Sequence, residues 1–373
     1  MSLMLLSYWL LRSKAGRSDR ACRPWVFALT GVMALCLSAL HAGAASASAK
    51  QAEIVIDTRN GAVYHEMDAD KRLHPASLTK MMTLYIAFQA LRSGEIAADR
   101  EVTVSAHAAA QPGSTLGLAE GDRITVNSLV LATALRSAND AATALAEAIA
   151  GSEDAFVARM NSTAQAMGLT GTYFRNPHGL TEEDHLSTAR DMARLGRYLF
   201  FDQPEDYAVF SRRSARIGSQ DVVHTNSRFL AGYGGADGLK TGYTRAAGFN
   251  LAASARRGDR HLIAVLFGAP NSVARTARAS EMMDLGFAAA PEEVPLIHPG
   301  PMSRNAAPED LWIARLDGLS GYGAGSVLAQ VRITPESGGQ NNPSIGSAAT
   351  GTTPIRPSHG AIGLGLFSAK APP

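Results

Sequence analysis

The chain of 373 residues is long for one ordinary domain and short for three. With 46% hydrophobic and 18% charged residues it can build a large core, which excludes a disordered chain. Its net charge of +2 belongs to the N-terminal segment, which excludes a basic nucleic-acid-binding surface on the remainder.

In that segment Arg12, Lys14, Arg17, Arg20 and Arg23 precede an uncharged apolar run from Trp25 to Leu40. Small residues follow, ending in Ala47-Ser48-Ala49. Basic, apolar and small-residue zones in this order read as a secretory signal peptide over residues 1–49, cleaved before Lys50. The apolar run also approaches spanning length, so membrane contact is expected only through this segment, uncleaved. The segment carries +4 against Asp19, which leaves −2 on residues 50–373. Cys22 and Cys36 leave with it, so the remainder has neither disulfide nor thiol chemistry. The expected location is outside the cytoplasm, in the periplasm or cell envelope.

Further along, Ala52–Asp57 alternates apolar and polar residues, and Arg59-Asn60-Gly61 offers a turn before Ala62–His65. This predicts a hairpin. From Ser77 to Arg92, Met81, Leu84, Tyr85, Phe88 and Leu91 recur at spacings of 3 and 4, predicting a helix with one buried face that stops at Gly94. Val126–Ala166 predicts two or three short helices, broken at Ser137–Asp140 and Gly151–Ser152. A further helix is predicted over Ser187–Phe201. Strand patterns return at Gly238–Gly242, Phe249–Ala255 and Leu262–Phe267, followed by a helix from Ser272 to Leu285. Strands at both ends and helices between predict one sheet covered by helices, with a helical subdomain inserted. The expected catalytic domain spans residues 50–288. Residues 289–373 turn to Pro, Gly, Ser and Ala and read as a low-complexity tail, with a strand or two possible only within Leu311–Ile333.

Lysine usage carries the chemistry. Of 35 basic residues only six are lysine, at positions 14, 50, 71, 80, 240 and 370. Arginine cannot lose its proton in a protein, whereas a buried lysine can. In Ser77-Leu78-Thr79-Lys80 a helix brings the amine to the face of the hydroxyl, a pairing able to activate a nucleophile. Ser137-Ala138-Asn139 puts a hydroxyl and an amide at a helix break, where they can relay a proton and hold a substrate amide. Lys240-Thr241-Gly242 puts a charge and a hydroxyl on an edge strand, with a glycine that admits a substrate backbone. Singly, each triplet is also what a capped helix or a turn would offer. Together they stand 60 and 103 residues apart, in the order S-x-x-K, S-x-N, K-T-G that marks penicillin-binding proteins and class A β-lactamases.

Residues from Ala52 to Phe287 accordingly resemble the catalytic domain of the serine-type D-alanyl-D-alanine carboxypeptidases, the low-molecular-mass penicillin-binding proteins. The resemblance extends to His74–Thr83, Ser137–Ala142, Asn176-Pro177-His178-Gly179-Leu180 and Asp237–Thr244. It implies an α+β fold of the β-lactamase/transpeptidase type, an antiparallel sheet flanked by helices. It implies that Ser77 forms an acyl-enzyme and Lys80 activates it, while Ser137 and Asn139 assist proton transfer. It also implies that Lys240, Thr241, Gly242 and the backbone of Tyr243 bind substrate, with Lys240 helping to keep Lys80 neutral. Arg275, or its neighbour Arg278, would take a terminal carboxylate. The implied partners are peptidoglycan stem peptides and covalent β-lactam inhibitors, with no cofactor, metal or nucleic acid. D,D-endopeptidase, β-lactamase and non-catalytic peptidoglycan-binding readings share these motifs. Two departures stand out: many relatives have His where this chain has Tyr243, and neither a C-terminal β-domain nor an anchoring amphipathic helix reads clearly after Ala290.

Overall fold

The computed structural model describes residues 51–300, together with the backbone of the two-residue strand Ile313–Ala314. The expected signal peptide and most of the expected tail lie outside the described residues. Strands β1 (Ala52–Asp57) and β2 (Val63–Met67) form the predicted hairpin. A 3₁₀ turn, Ala76–Thr79, leads into α1 (Lys80–Arg92). Then come β3 (Glu101–Thr103), α2 (Ala106–Ala109), β4 (Arg123–Thr125), α3 (Val126–Leu131), α4 (Asn139–Ala150) and α5 (Glu153–Ala166). The chain continues through α6 (Ala189–Asp202), α7 (Pro204–Tyr207), β5 (Ser214–Ile217), β6 (Gln220–Val223) and α8 (Ser227–Gly232). It closes with β7 (Ala236–Thr244), β8 (Gly248–Arg257), β9 (Arg260–Ala269), α9 (Ser272–Ala289) and β10 (Leu296–Ile297), the last paired with β11 (Ile313–Ala314).

One antiparallel five-stranded sheet, in the order β2-β1-β9-β8-β7, joins the two ends of this unit. β1 lies against β9 from Ala52 opposite Phe267 to Asp57 opposite Leu262. Both faces are covered. Ile54, Ile56, Ala252, Ile263, Val265 and Phe267 face the helices that precede β7, while Val55, Leu251, Ala253, Leu262, Ala264 and Leu266 face α9. Burial on both sides is why β8 and β9 read as nearly continuous apolar runs rather than alternating ones. Position β7 is an edge, as expected for the strand carrying Lys240.

Helix α1 departs from its predicted pattern. It is buried on nearly every side, including Met82, Ile86 and Ala90, which lie off the predicted stripe. A central helix between a sheet and a helical lobe needs no polar face. The break after α3 is confirmed and sharpened: a π-helical turn over 132–136 ends at Ser137, whose φ of 63° and ψ of 33° are left-handed, and Ala138 is extended. The hairpins β3–β4 and β5–β6 went unpredicted, since strands of three and four residues are too short to display a period. Helix α9 runs past Leu285 to Ala289. The chain beyond it stays tied to the unit through Arg59 to the carbonyls of Pro291 and Glu292, and Arg197 to that of Ile297.

Candidate active site

The 3₁₀ turn holds Ser77 half-buried between the sheet edge and the helical lobe. Its placement is set by neighbours on three elements. From β8, buried Asn250 donates to the carbonyls of His74 (3.0 Å) and Pro75 (3.1 Å), while its own oxygen accepts from Gly268 N at 2.9 Å. From β7, Gly242 passes so close that a Cβ there would lie 3.0 Å from both Pro75 O and Ser77 N. From the loop before α6, Gly179 has φ of +90°, and a Cβ would fall 1.9 Å from Ala76 O. Gly179 is therefore required by close backbone approach and a left-handed φ, and Gly242 leaves a side chain very little room.

One helical turn on, Lys80 is fully buried. Its Nζ lies 2.6 Å from Asn139 Oδ1, 2.7 Å from the carbonyl of His178 and 3.4 Å from Ser77 Oγ. The first two are pure acceptors. A neutral amine has two N–H groups and one lone pair, so two carbonyl oxygens consume its donors and leave the lone pair for the Ser77 hydroxyl. Burial pushes the Lys80 pKa well below the ordinary lysine range. The charge of Lys240 adds to this, and Asp140 partly opposes it.

The left-handed Ser137 and the first residue of α4, Asn139, are both buried at this point. Asn139 Nδ2 donates to Pro112 O at 2.6 Å, which orients its oxygen toward Lys80. The next residue, Asp140, accepts from the backbone N–H groups of Leu116, Gly117 and Leu118 at 2.9–3.0 Å. Thus the loop 112–118 is laced to the Ser137–Asn139 break. Replacing Asn139 with alanine removes the shortest partner of Lys80, and acylation of Ser77 should fall roughly ten- to a hundredfold. Stopped-flow labelling with a fluorescent penicillin measures this, and an unchanged rate would exclude Asn139 from amine placement.

Across the cleft, Lys240 is also fully buried, and its pKa is pushed down to about 7 by burial and by Arg275. Thr241 donates to the Thr225 hydroxyl at 2.9 Å. Tyr243 is 56% exposed, with its ring against Phe249 at 4.2 Å. The structure separates the two candidate arginines. Arg278 is occupied by Glu53 (2.9 and 2.8 Å) and Glu281 (3.0 Å). Arg275 is buried, and its Nε has no hydrogen-bond partner among the described residues. Of the two, Arg278 is therefore the one already engaged by carboxylates.

Of the residues singled out in the sequence, Ser77, Lys80 and Asn139 are in direct contact, Gly242 lies against Ser77, and the charges of Lys240 and Arg275 act in turn on Lys80 and Lys240. Several other residues support them without having been singled out. The role of His178 is its backbone carbonyl. Its ring accepts from Leu180 N at 3.2 Å and, with its pKa lowered to about 2 by burial and by Lys80, is neutral. His185 accepts from Arg175 N through Nδ1, so its Nε2 carries the proton and donates to Thr79 at 2.8 Å. Asn250, Asp140 and Thr225 carried no local signal, because each acts on a partner far away in sequence. Among the described residues no cluster of three or more His, Cys, Asp or Glu forms a metal site.

The chain is similar to known proteins. DacF, a D-alanyl-D-alanine carboxypeptidase of Bacillus subtilis, is 40% identical over 242 residues, 63% of this chain and 61% of its own length. The chain thus spans less than two thirds of that relative. Penicillin binding protein 5 from Haemophilus influenzae superposes with a TM-score of 0.62 at 35% identity, covering 64% of this chain and 70% of its own. Penicillin-Binding Protein D2 from Listeria monocytogenes, solved with ampicillin bound, gives 0.59 at 28% identity, covering 63% and 96%. The fold is therefore that of the penicillin-binding proteins, as expected. The profile of the D-alanyl-D-alanine carboxypeptidases matches residues 39–271, well over half the chain and all three motifs, and the chain belongs to that family, peptidase family S11.

Proposed function

We propose that the chain is an exported serine D,D-carboxypeptidase that removes the terminal D-alanine from peptidoglycan stem pentapeptides through a Ser77 acyl-enzyme. The observation that carries this reading is the buried Lys80 amine, held by two carbonyl oxygens with Ser77 Oγ as its third neighbour. Lys80 takes the Ser77 proton as Oγ attacks the carbonyl between the two D-alanines. The backbone N–H groups of Ser77 and Tyr243 receive the oxyanion, a contribution commonly worth several kcal/mol. The amide C–N bond then breaks, and the leaving amine receives a proton by way of Ser137. Water hydrolyses the ester, restoring the Ser77 hydroxyl. Lys240, Thr241 and Arg275 receive the terminal carboxylate in this reading, which the nearness of the Arg275 charge to Lys240 supports. β-Lactams, which acylate the same serine and carry a carboxylate, are the matching inhibitors. Among the described residues no helix is long and apolar enough to cross a membrane.

The test is mass spectrometry of a stem pentapeptide incubated with the full chain. Loss of one alanine supports the carboxypeptidase; cleavage confined to crosslinked dimers would replace it with an endopeptidase. Rapid turnover of penicillin in place of a lasting adduct would point to a β-lactamase, and absence of any Ser77 adduct to a binding protein.

The charges also set a pH dependence. Only neutral Lys80 can accept the serine proton, so acylation falls as acid protonates it, and the depressed pKa places that loss below the ordinary lysine range. Lys240, with its pKa pushed down to about 7, loses the charge that faces the carboxylate as pH rises through that value. kcat/KM should therefore be bell-shaped, since it requires Lys80 without its proton and Lys240 with its own, and one limb should lie near the Lys240 value of about 7. Rates independent of pH on the acid side would remove Lys80 as the base.

A further inference from the structure

Behind the cleft lies a polar chain that the mechanism does not use, with Tyr207, Ser254 and His261 buried and Asp237 half-buried. Tyr207, at the end of α7, donates to Ser254 Oγ on β8 at 2.7 Å. Ser254 donates to Asp237 Oδ1 on β7 at 2.6 Å, and His261 Nε2 on β9 reaches Asp237 Oδ2 at 2.9 Å. The His261 ring stacks on Phe200 of α6 at 4.7 Å. Desolvation alone would raise the Asp237 pKa, but its contacts with His261 and Ser254 and the charge of Arg256 hold it below the usual carboxylate range. One carboxylate thus ties three adjacent strands and a helix together.

Its position in the strand matters most. The pairing of β7 with β8 slips between Ala236, opposite Ala255, and Gly238, opposite Ser254. Asp237 is therefore the extra residue of a β-bulge, three positions before Lys240. From Gly238 onward pairing is one to one, through Lys240 opposite Ala252 to Gly242 opposite Asn250. A strand's side chains alternate between faces, so closing the bulge would move every later residue by one and exchange the faces. Lys240 would leave the side of Lys80, and a residue with a Cβ would replace Gly242 at a point where that Cβ would lie only 3.0 Å from Ser77 N. We propose that Asp237, Ser254, His261 and Tyr207 form a register lock, positioning residues that set where Lys240 and Gly242 stand against Ser77.

The inference rests on the Ser77 acylation reading above, and its test separates the two. The full chain and its variants are reacted with a fluorescent penicillin, measuring the limiting acylation rate, the half-saturating concentration and Tm. Asp237→Asn and His261→Leu should acylate about tenfold or more slowly, with the half-saturating concentration changing much less, because misplacement acts on the attack step. His261→Gln, which keeps a side-chain N–H for Asp237, should recover most of that rate. Tyr85→Phe deletes another internal hydrogen bond, 2.6 Å to Asp202 and remote from β7. It should lower Tm while acylating at the wild-type rate, showing that lost stability alone does not slow the reaction. Should Asp237→Asn fail to fold, Ser254→Ala, which leaves the Asp237–His261 pair in place, carries the same comparison with a smaller drop. Wild-type limiting rates in folded Asp237→Asn and His261→Leu, or a glutamine variant no faster than the leucine one, would overturn the lock. Label retained by Ser77→Ala would instead overturn the acylation reading itself.

Discussion

Lys80→Arg should lose acylation by a factor of about 10³ or more while leaving the fold in place. Arginine puts a fixed positive charge, abundant N–H donors and a side chain of similar size at the same point, so a role limited to charge or hydrogen-bond donation would survive the exchange. It cannot supply a lone pair, because its guanidinium does not deprotonate in a protein. The two carbonyl acceptors now taken by the amine, Asn139 Oδ1 and His178 O, would still find donors, which is why the fold should persist. Ser77→Ala should lose covalent labelling altogether, and the double variant should be no worse than the single ones. Intact-protein mass spectrometry after exposure to penicillin reads both. An adduct formed by Lys80→Arg at a rate near that of the wild type would show that another group accepts the serine proton.

Gly179→Ala should be severely damaging although it touches no reacting group. Its φ of +90° already disfavours any side chain, and the new methyl would overlap the Ala76 carbonyl carbon and oxygen at 2.4 and 1.9 Å. Neither neighbour can rotate away, since both belong to the backbone. The overlap can be relieved only by moving the 176–180 loop or the turn that carries Ser77. Moving the loop withdraws the His178 carbonyl from Lys80 and the Pro177 carbonyl from Thr83. A loss of about 4 kcal/mol or more is expected, of the size reserved for specific backbone conflicts. Urea denaturation of the full chain checks it, and acylation should fall even where the variant remains folded. A variant as stable as the wild type would show that the loop is not held where the structure puts it.

The reacting groups were legible in the sequence because their chemistry is local or rigidly spaced. Ser77 and Lys80 sit one helical turn apart, and the lysine-poor composition makes Lys80 and Lys240 conspicuous. What holds them was not legible. The carbonyl of His178 reaches Lys80 across nearly a hundred residues, and backbone carbonyls leave no trace in residue identity. Asp140 read as part of a helix break, whereas its carboxylate gathers three amides of a loop that is itself without periodicity. Asn250 lay inside a predicted strand, where a polar residue suggests an outward face. It is instead fully buried at a register shift between β8 and β9, turned to hold the approach to Ser77. The order of the sheet was equally hidden, since which strands become neighbours depends on packing both faces at once.

The pairing of β1 with β9 has a consequence for how the chain comes to work. Ser77 and Lys80 emerge early in synthesis, but β7 to β9, two of which pack against them, emerge more than 150 residues later. Until those arrive, the first hairpin has no sheet to join, and the serine lacks Lys240, Gly242 and the grip of Asn250. Long-range closure of this kind makes folding slow and leaves nascent segments exposed. It also means that a half-made polypeptide holds its nucleophile disarmed, so reactivity comes only with the finished molecule.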